Sequence, residues 1–187
     1  MSRAAKANRA ESTGHSEELL TVFPTEIGWM GIVGEGEVVL QVLIGHPSSA
    51  SVWAAVKRLI GSVLQQLPRE TDWNPRLRQS LIEYTEGNRV DFRQFPVRLP
   101  DRTPFRDKVL AATRQLPYGA TTTYGDLAQS VGHPRAARAV GTVMSTNRFP
   151  ILIPCHRVLA AGGKLGGYTS PTGTDLKQRL LEMEQSA

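Results

Sequence analysis

Cysteine is almost missing from this chain: of 187 residues, only Cys155 carries a thiol. A single thiol excludes an intramolecular disulfide and the multi-cysteine zinc ribbons and fingers, so the fold must rest on a packed core. A reducing, cytoplasmic setting is the expectation that follows. Long apolar runs are also missing. Nothing approaches the roughly 18–20 residues needed to span a bilayer, so no membrane partner is expected. The opening MSRAAKANRAESTGHSEE has neither the apolar stretch of a secretory signal nor any periodicity, and residues 1–17 are expected to form a flexible tail. Acidic side chains are scarce in one half only. Residues 1–100 hold eleven basic and eleven acidic groups, whereas residues 101–187 hold eleven and six, which accounts for the net charge of +5. A neutral half joined to a basic half suggests a polyanion-binding module beside a passive one, although charge alone fits a generic soluble surface equally well.

What is present supports two domains. The hydrophobic fraction of 40% is ordinary for a chain with a buried core. Two apolar stretches flank Gly34-Glu35-Gly36 as a β-hairpin. Val52, Val56, Leu59, Ile60, Val63 and Leu67 fall at helical spacing and predict one amphipathic helix closed before Pro68. A second helix opens with Asn74 as cap and Pro75 in its first turn, and ends at Gly87. RVDFRQFPVRL can return as a strand. A linker is expected over 99–103. Beyond it, Thr103 caps a helix reaching Leu116. Thr123, with Asp126 three residues on, starts a short helix, and Pro134 begins another after Gly132-His133. Two short helices joined by a tight turn are the mark of a helix-turn-helix.

The second of those helices is built from small residues, Ala136, Ala137, Ala139 and Gly141, around one long cation, Arg138. Such a rod suits close packing in a core, or entry into a nucleic-acid groove with Arg138 projecting. The nearby charge excess favours the groove and a DNA partner. The lone thiol stands in ILIPCHRV. A lone cysteine is usually a small buried apolar residue; a reactive one needs a cation or a base to ionise it. His156 is adjacent, so its contact with Cys155 would run through a water. It could equally fill a polar pocket, and Arg157 could pair with a carboxylate for structure alone.

PCHRV preceded by ILI, with TTYGDLA and PRAARAVG upstream, resembles the O6-alkylguanine-DNA alkyltransferases, the methylated-DNA–protein-cysteine methyltransferases, over roughly residues 103–187. The resemblance implies an α/β N-terminal domain over 18–98, ribonuclease-H-like with an antiparallel sheet and helices. It implies a mainly α-helical C-terminal domain over 104–187 carrying a winged-helix-like helix-turn-helix. The implied activity is irreversible, single-turnover transfer of the alkyl group from O6-alkylguanine in flipped-out duplex DNA to Cys155, with O4-alkylthymine left open as a second substrate. His156 would take the thiol proton through a water and Glu184, rather than Glu182, would orient that histidine. Tyr124 would donate to the leaving base, Arg138 would fill the place of the flipped nucleotide, and Asn147 would hold the turn into the active-site loop. Thr123, Arg135, Ala136 and Ala137 would lie along the DNA minor groove. Met144, Tyr168 and Thr169 would line the pocket, and the carbonyls of Cys155 and Val158 would accept the guanine amino group. No cofactor and no metal is implied, and the protein is expected to be a monomer, with cooperative DNA binding left open. Three departures stand out: Arg148 where proline is usual, Gly162 for a common serine, and Thr169 for serine or glycine. Two other classes stay in view, a lesion-binding protein without transfer and a helix-turn-helix regulator.

Overall fold

The alternation of apolar and polar residues over the first described segment builds a sheet. The computed structural model describes residues 17–99 and 103–186; most of the expected tail, and residues 100–102 of the expected linker, lie outside them. Strands β1 (Glu18–Thr25), β2 (Gly28–Glu35) and β3 (Val38–His46) form an antiparallel meander, with Gly36 at φ +57° turning β2 into β3 as the glycine pattern predicts. β4 (Arg69–Glu70) adds to β1 in parallel, in the order β3-β2-β1-β4. The sheet is therefore mixed, where a purely antiparallel one was expected. A register shift opposite Val33 and Gly34 inverts the alternation along β3, so Val39, Val42 and Ile44 all reach one apolar cluster while Leu40 reaches the other.

Helix α1 (Ser49–Lys57) is half the expected length. Val52 and Val56 are buried on β1 to β3 as the spacing predicts. Gly61, at φ +82°, then turns the chain back on itself, and Leu64 is buried in place of Ile60 and Leu67, which are 40% and 55% exposed. The periodicity ran on through a loop. Helix α2 (Pro75–Thr85) forms as expected, with Asn74 Oδ1 accepting from the Leu77 N–H. Residues 89–99 do not return as a strand. Their backbone pairs with β3 where Val39 N–H donates to Pro96 O and Arg98 N–H to Val39 O. Pro96 has no N–H to extend the ladder. Burial of Phe92 and Phe95 against Tyr84, together with Arg114 donating to the carbonyls of Phe92 and Phe95, holds this segment instead.

The rest is helical: α3 (Pro104–Arg114), α4 (Tyr124–Ser130), α5 (Ala137–Ser145) and α6 (Thr174–Gln185), with a two-residue parallel ribbon of β5 (Thr122–Thr123) and β6 (Val158–Leu159). Thr103 and Thr123 cap α3 and α4 through their hydroxyls. Helix α5 starts at Ala137 and not at Pro134, because residues 134–136 close a turn in which Ala136 N–H donates to His133 O. One apolar cluster runs from Met30 and Tyr84 through Val109 and Leu127 to Cys155, so both halves share a core and the thiol lies at their seam. No helix among the described residues is long and apolar enough to cross a membrane.

Candidate active site

The turn after α5 delivers Cys155. Asn147 Oδ1 accepts from Phe149 N–H at 3.1 Å, and its Nδ2 donates to Ile153 O at 2.9 Å and to Cys155 Sγ at 3.1 Å. β3 reaches across to the same turn, Val42 N–H donating to Arg148 O at 2.8 Å. Arg148 in place of proline therefore leaves the turn pinned from both sides. Ile151 adopts φ +73°, a left-handed conformation that costs a β-branched residue about 1–3 kcal/mol. Burial of Phe149, Ile151, Leu152 and Ile153 offsets it and fixes the loop. A single 3-10 turn, Cys155–Arg157, follows. Cys155 is 6% exposed. Burial pushes its thiol up; the Asn147 amide, the charge of Lys177 and the backbone N–H groups of Cys155 and His156 pull the other way. At rest the sulfur holds its proton, and reaction requires a base.

The adjacent His156 is held by side chains from α6 and α2. His156 Nε2 lies 2.9 Å from Glu184 Oε1 on α6 and 3.2 Å from the Tyr84 hydroxyl on α2. The same hydroxyl donates to Glu184 Oε1 at 2.5 Å. Since the phenol proton goes to the carboxylate, Nε2 must carry a proton of its own, donated to Glu184. Nδ1 is then the bare, basic nitrogen, and it is buried without a hydrogen-bond partner in the structure. Burial holds His156 below its ordinary range, against the pull of Glu184, so the ring is neutral at pH 7 and able to accept. Glu184 also takes the Arg157 guanidinium side-on, Nε to Oε2 at 2.9 Å and Nη2 to Oε1 at 2.7 Å, and accepts from Gly119 N–H at 3.0 Å. Hydrogen bonds from His156, Arg157 and Tyr84 outweigh burial and hold its carboxyl far below the usual range. Arg157 Nη1 donates to Leu116 O, which ties the turn to α3. Glu182, the neighbouring acid, faces solvent and accepts from Gln178.

Of the other expected residues, Tyr124 and Tyr168 stand close to the sulfur. Tyr124 begins α4, and burial with the nearby Cys155 raises its phenol, which stays protonated at neutral pH. Its hydroxyl lies against the 160s loop: a Cβ at Gly166 would fall 2.2 Å from it. Tyr168 is close enough to Cys155 to feel its charge, and its hydroxyl is buried without a partner. Thr169 Oγ1 donates to Ser145 O at 2.7 Å, fastening that loop to the end of α5. Met144 faces inward, its sulfur near the Thr113 hydroxyl at 3.8 Å. Both expected carbonyl acceptors have partners already. Val158 O takes Lys177 Nζ at 2.6 Å, and Cys155 O takes Val158 N–H. Arg135 and Arg138 are exposed on the helix-turn-helix, with Ala136, Ala137 and Thr123 half-buried beside them.

Two residues of the site escaped the sequence reading. Tyr84 lies on α2, where the sequence gives only the helix's caps; nothing local marks a contact with a carboxylate 100 residues away. Lys177 is fully buried on α6 beside Leu176, and a lysine between apolar positions is the one signal that could have found it. Tyr84→Phe is expected to cost about 1–2 kcal/mol by removing one hydrogen bond to a charged group. With one donor fewer on Glu184, His156 becomes more basic, so the acid limb of the rate–pH profile moves to higher pH; a purely structural tyrosine would leave that limb in place.

Among the described residues, no group of three or more His, Cys, Asp and Glu side chains is arranged to hold a metal ion. Residues 104–186 match the family described as 6-O-methylguanine DNA methyltransferase, DNA binding domain. A methylated-DNA–protein-cysteine methyltransferase of Methanosarcina acetivorans is 45% identical over 97 residues, which is 51% of this chain and 61% of that one. The matched region thus spans less than two thirds of that relative's length. One of Mycobacterium bovis is 39% identical over 141 residues, 67% of this chain and 82% of the relative. The crystal structure of the Mycobacterium tuberculosis O6-methylguanine methyltransferase superposes with a TM-score of 0.72 at 29% identity, covering 90% of this chain and 93% of that one. The same organism's protein has also been crystallised in complex with DNA, and it superposes at 0.70.

Proposed function

This chain belongs to the methylated-DNA–protein-cysteine methyltransferase family, and from that premise we propose that it reverses O6-alkylation of guanine in duplex DNA by taking the alkyl group onto Cys155. The observation that carries the reading is the histidine next to the only thiol: Nε2 is committed to Glu184, and the buried Nδ1 is left without a partner. His156 draws the thiol proton through one water. The thiolate attacks the alkyl carbon, the C–O6 bond breaks with its electron pair left on guanine, and Tyr124 supplies a proton to N3. Asn147 Nδ2 steadies the sulfur as charge grows on it. The thioether has no good leaving group, so each molecule acts once.

The Val158 carbonyl keeps a second lone pair for the guanine amino group while Lys177 holds the first. Helix α5 enters the minor groove of the duplex, and Arg138 fills the gap left by the flipped nucleotide, offsetting part of the few kcal/mol of lost stacking. The N-terminal half (18–98) is a ribonuclease-H-like support and 104–187 the acceptor and DNA-binding domain, acting as a monomer at the DNA of the cytoplasm or nucleoid. A lesion binder without transfer has no use for a base beside its thiol.

Titration against a duplex bearing one O6-methylguanine tests this. Restored guanine is expected to plateau at one equivalent of protein; binding with the lesion left intact would overturn the reading. Arg138→Ala is expected to slow repair of the duplex about tenfold or more and to leave reaction with free O6-benzylguanine within about twofold, since only the duplex requires base extrusion. Equal losses on both substrates would place Arg138 in the fold instead.

A further inference from the structure

Helix α5 carries its cations at one end. Arg138 stands in its first turn and Arg135 just ahead of it, while its last turn holds no basic residue. That last turn is also the negative end of the helix, where carbonyls point out without intrahelical donors. Set against the phosphates of a duplex, such an end is repelled. A side chain from another helix offsets this. Arg106, in the first turn of α3, donates through Nη1 to Thr146 Oγ1 at 3.0 Å and through Nη2 to Thr146 O at 3.2 Å, and Thr146 is the cap that closes α5.

The placement is costly for α3 itself, since a cation in the first turn lies at the positive end of that helix's own dipole. Arg106 also meets no carboxylate among the described residues. Two of its five N–H groups are spent on Thr146 and the buried Nε reaches no acceptor, which leaves one N–H on each terminal nitrogen. Those two are held in a fixed fork at the end of the groove-entering helix, a geometry that suits a phosphate.

We propose that Arg106 is a phosphate contact for the duplex, set at the C-terminal end of α5 as Arg138 is set at the other. The inference rests on α5 as the helix that enters the minor groove, and it adds a second anchor on the DNA backbone. Arg138 and Thr146 are eight residues apart, about 12 Å along the axis. The minor groove is about 6 Å wide, so a cation that far from the inserted side chain reaches the phosphates flanking the groove and not the base edges. Such a contact carries no sequence information; it fixes the register of α5, so that Arg138 faces one nucleotide. Thr146 also precedes Asn147, which bonds to Cys155 Sγ, so a role for Arg106 in the fold alone would show at the thiol.

Binding of an undamaged duplex, followed by fluorescence anisotropy between about 50 and 200 mM salt, reads the contact. Arg106→Gln is expected to flatten the slope of log K against log salt by about 0.9 and to weaken binding about fivefold or more at the lower salt. Arg106→Lys keeps the charge and loses the fork, so it should keep the slope. Reaction of both variants with free O6-benzylguanine, read by intact mass, is expected to stay within about twofold of the unmutated protein, since the free base has no phosphates. An unchanged slope in Arg106→Gln, an equal loss of slope in Arg106→Lys, or a free-base reaction that slows in step with duplex binding would overturn the contact and leave Arg106 as a brace for Thr146. Duplex binding by the unmutated protein that ignores salt, or no binding at all, would overturn the groove reading of α5 as well.

Discussion

Glu184→Ala is expected to lower stability by about 3–5 kcal/mol, with a fall in Tm of about 10 °C, and to reduce alkyl transfer by three orders of magnitude or more. The carboxylate is the single acceptor for Arg157, His156 and Tyr84 together, and it also takes Gly119 N–H. Removing it leaves a guanidinium buried without its counter-charge and takes the carboxylate from three more donors, the costly way to break a buried pair. It also frees the histidine to change tautomer, so that Nδ1 no longer stands ready to take a proton. Glu184→Gln keeps the shape and loses the charge. It should recover part of the stability but little of the rate, since a neutral amide stabilises imidazolium poorly. Acid acts on the same group. Its folded pKa is held far below the ordinary 4.5, so its contribution is complete above that value and is lost progressively as pH falls beneath it. Unfolding followed against pH should show stability falling below about 4.5 in the native protein and a flatter response there in Glu184→Gln.

Asn147→Ala carries the second largest effect, about 2–4 kcal/mol of stability and at least tenfold in rate. Phe149 N–H is left without a partner inside an apolar loop, at about 1–3 kcal/mol, and Ile153 O keeps only the Cys155 N–H. The sulfur loses its side-chain donor, so its pKa climbs further from neutrality. Asn147→Asp separates the two consequences. It keeps an acceptor for Phe149 N–H but sets a negative charge beside the sulfur, which opposes ionisation. Asp at this position should therefore react more slowly than Ala with O6-benzylguanine even where it is the more stable protein. The reverse order of rates would mean that Asn147 matters to the loop alone.

Where the chain states its structure locally, the sequence was enough to read it. Asn74-Pro75, Thr103-Pro104 and Thr123 with Asp126 each cap a helix within a few residues, and all three helices stand where their caps put them. Cys155 and His156 stood side by side in ILIPCHRV, and Asn147, named through the resemblance, lies eight residues before the thiol and bonds to it. Glu184 came from resemblance, and it is Glu184, not Glu182, that pairs with buried Arg157 and His156. Competition between distant surfaces was not legible. Residues 58–67 kept a helical rhythm that Gly61 and the burial of Leu64 overrode, and 89–99 exchanged a strand for aromatic packing on Tyr84. Tyr84 itself joined the site through a contact that only the shared core of the two halves creates.

The proposed proton relay and the fold around it meet at one atom, Sγ of Cys155. Peptide mapping by mass, after reaction with duplex DNA carrying O6-methylguanine, reads that atom. One added methyl group on the peptide containing Cys155, and none on any peptide of Cys155→Ser, is the expected result. An unmodified Cys155 peptide from a folded protein that has bound the lesion, or a methyl group found on another residue, would contradict it.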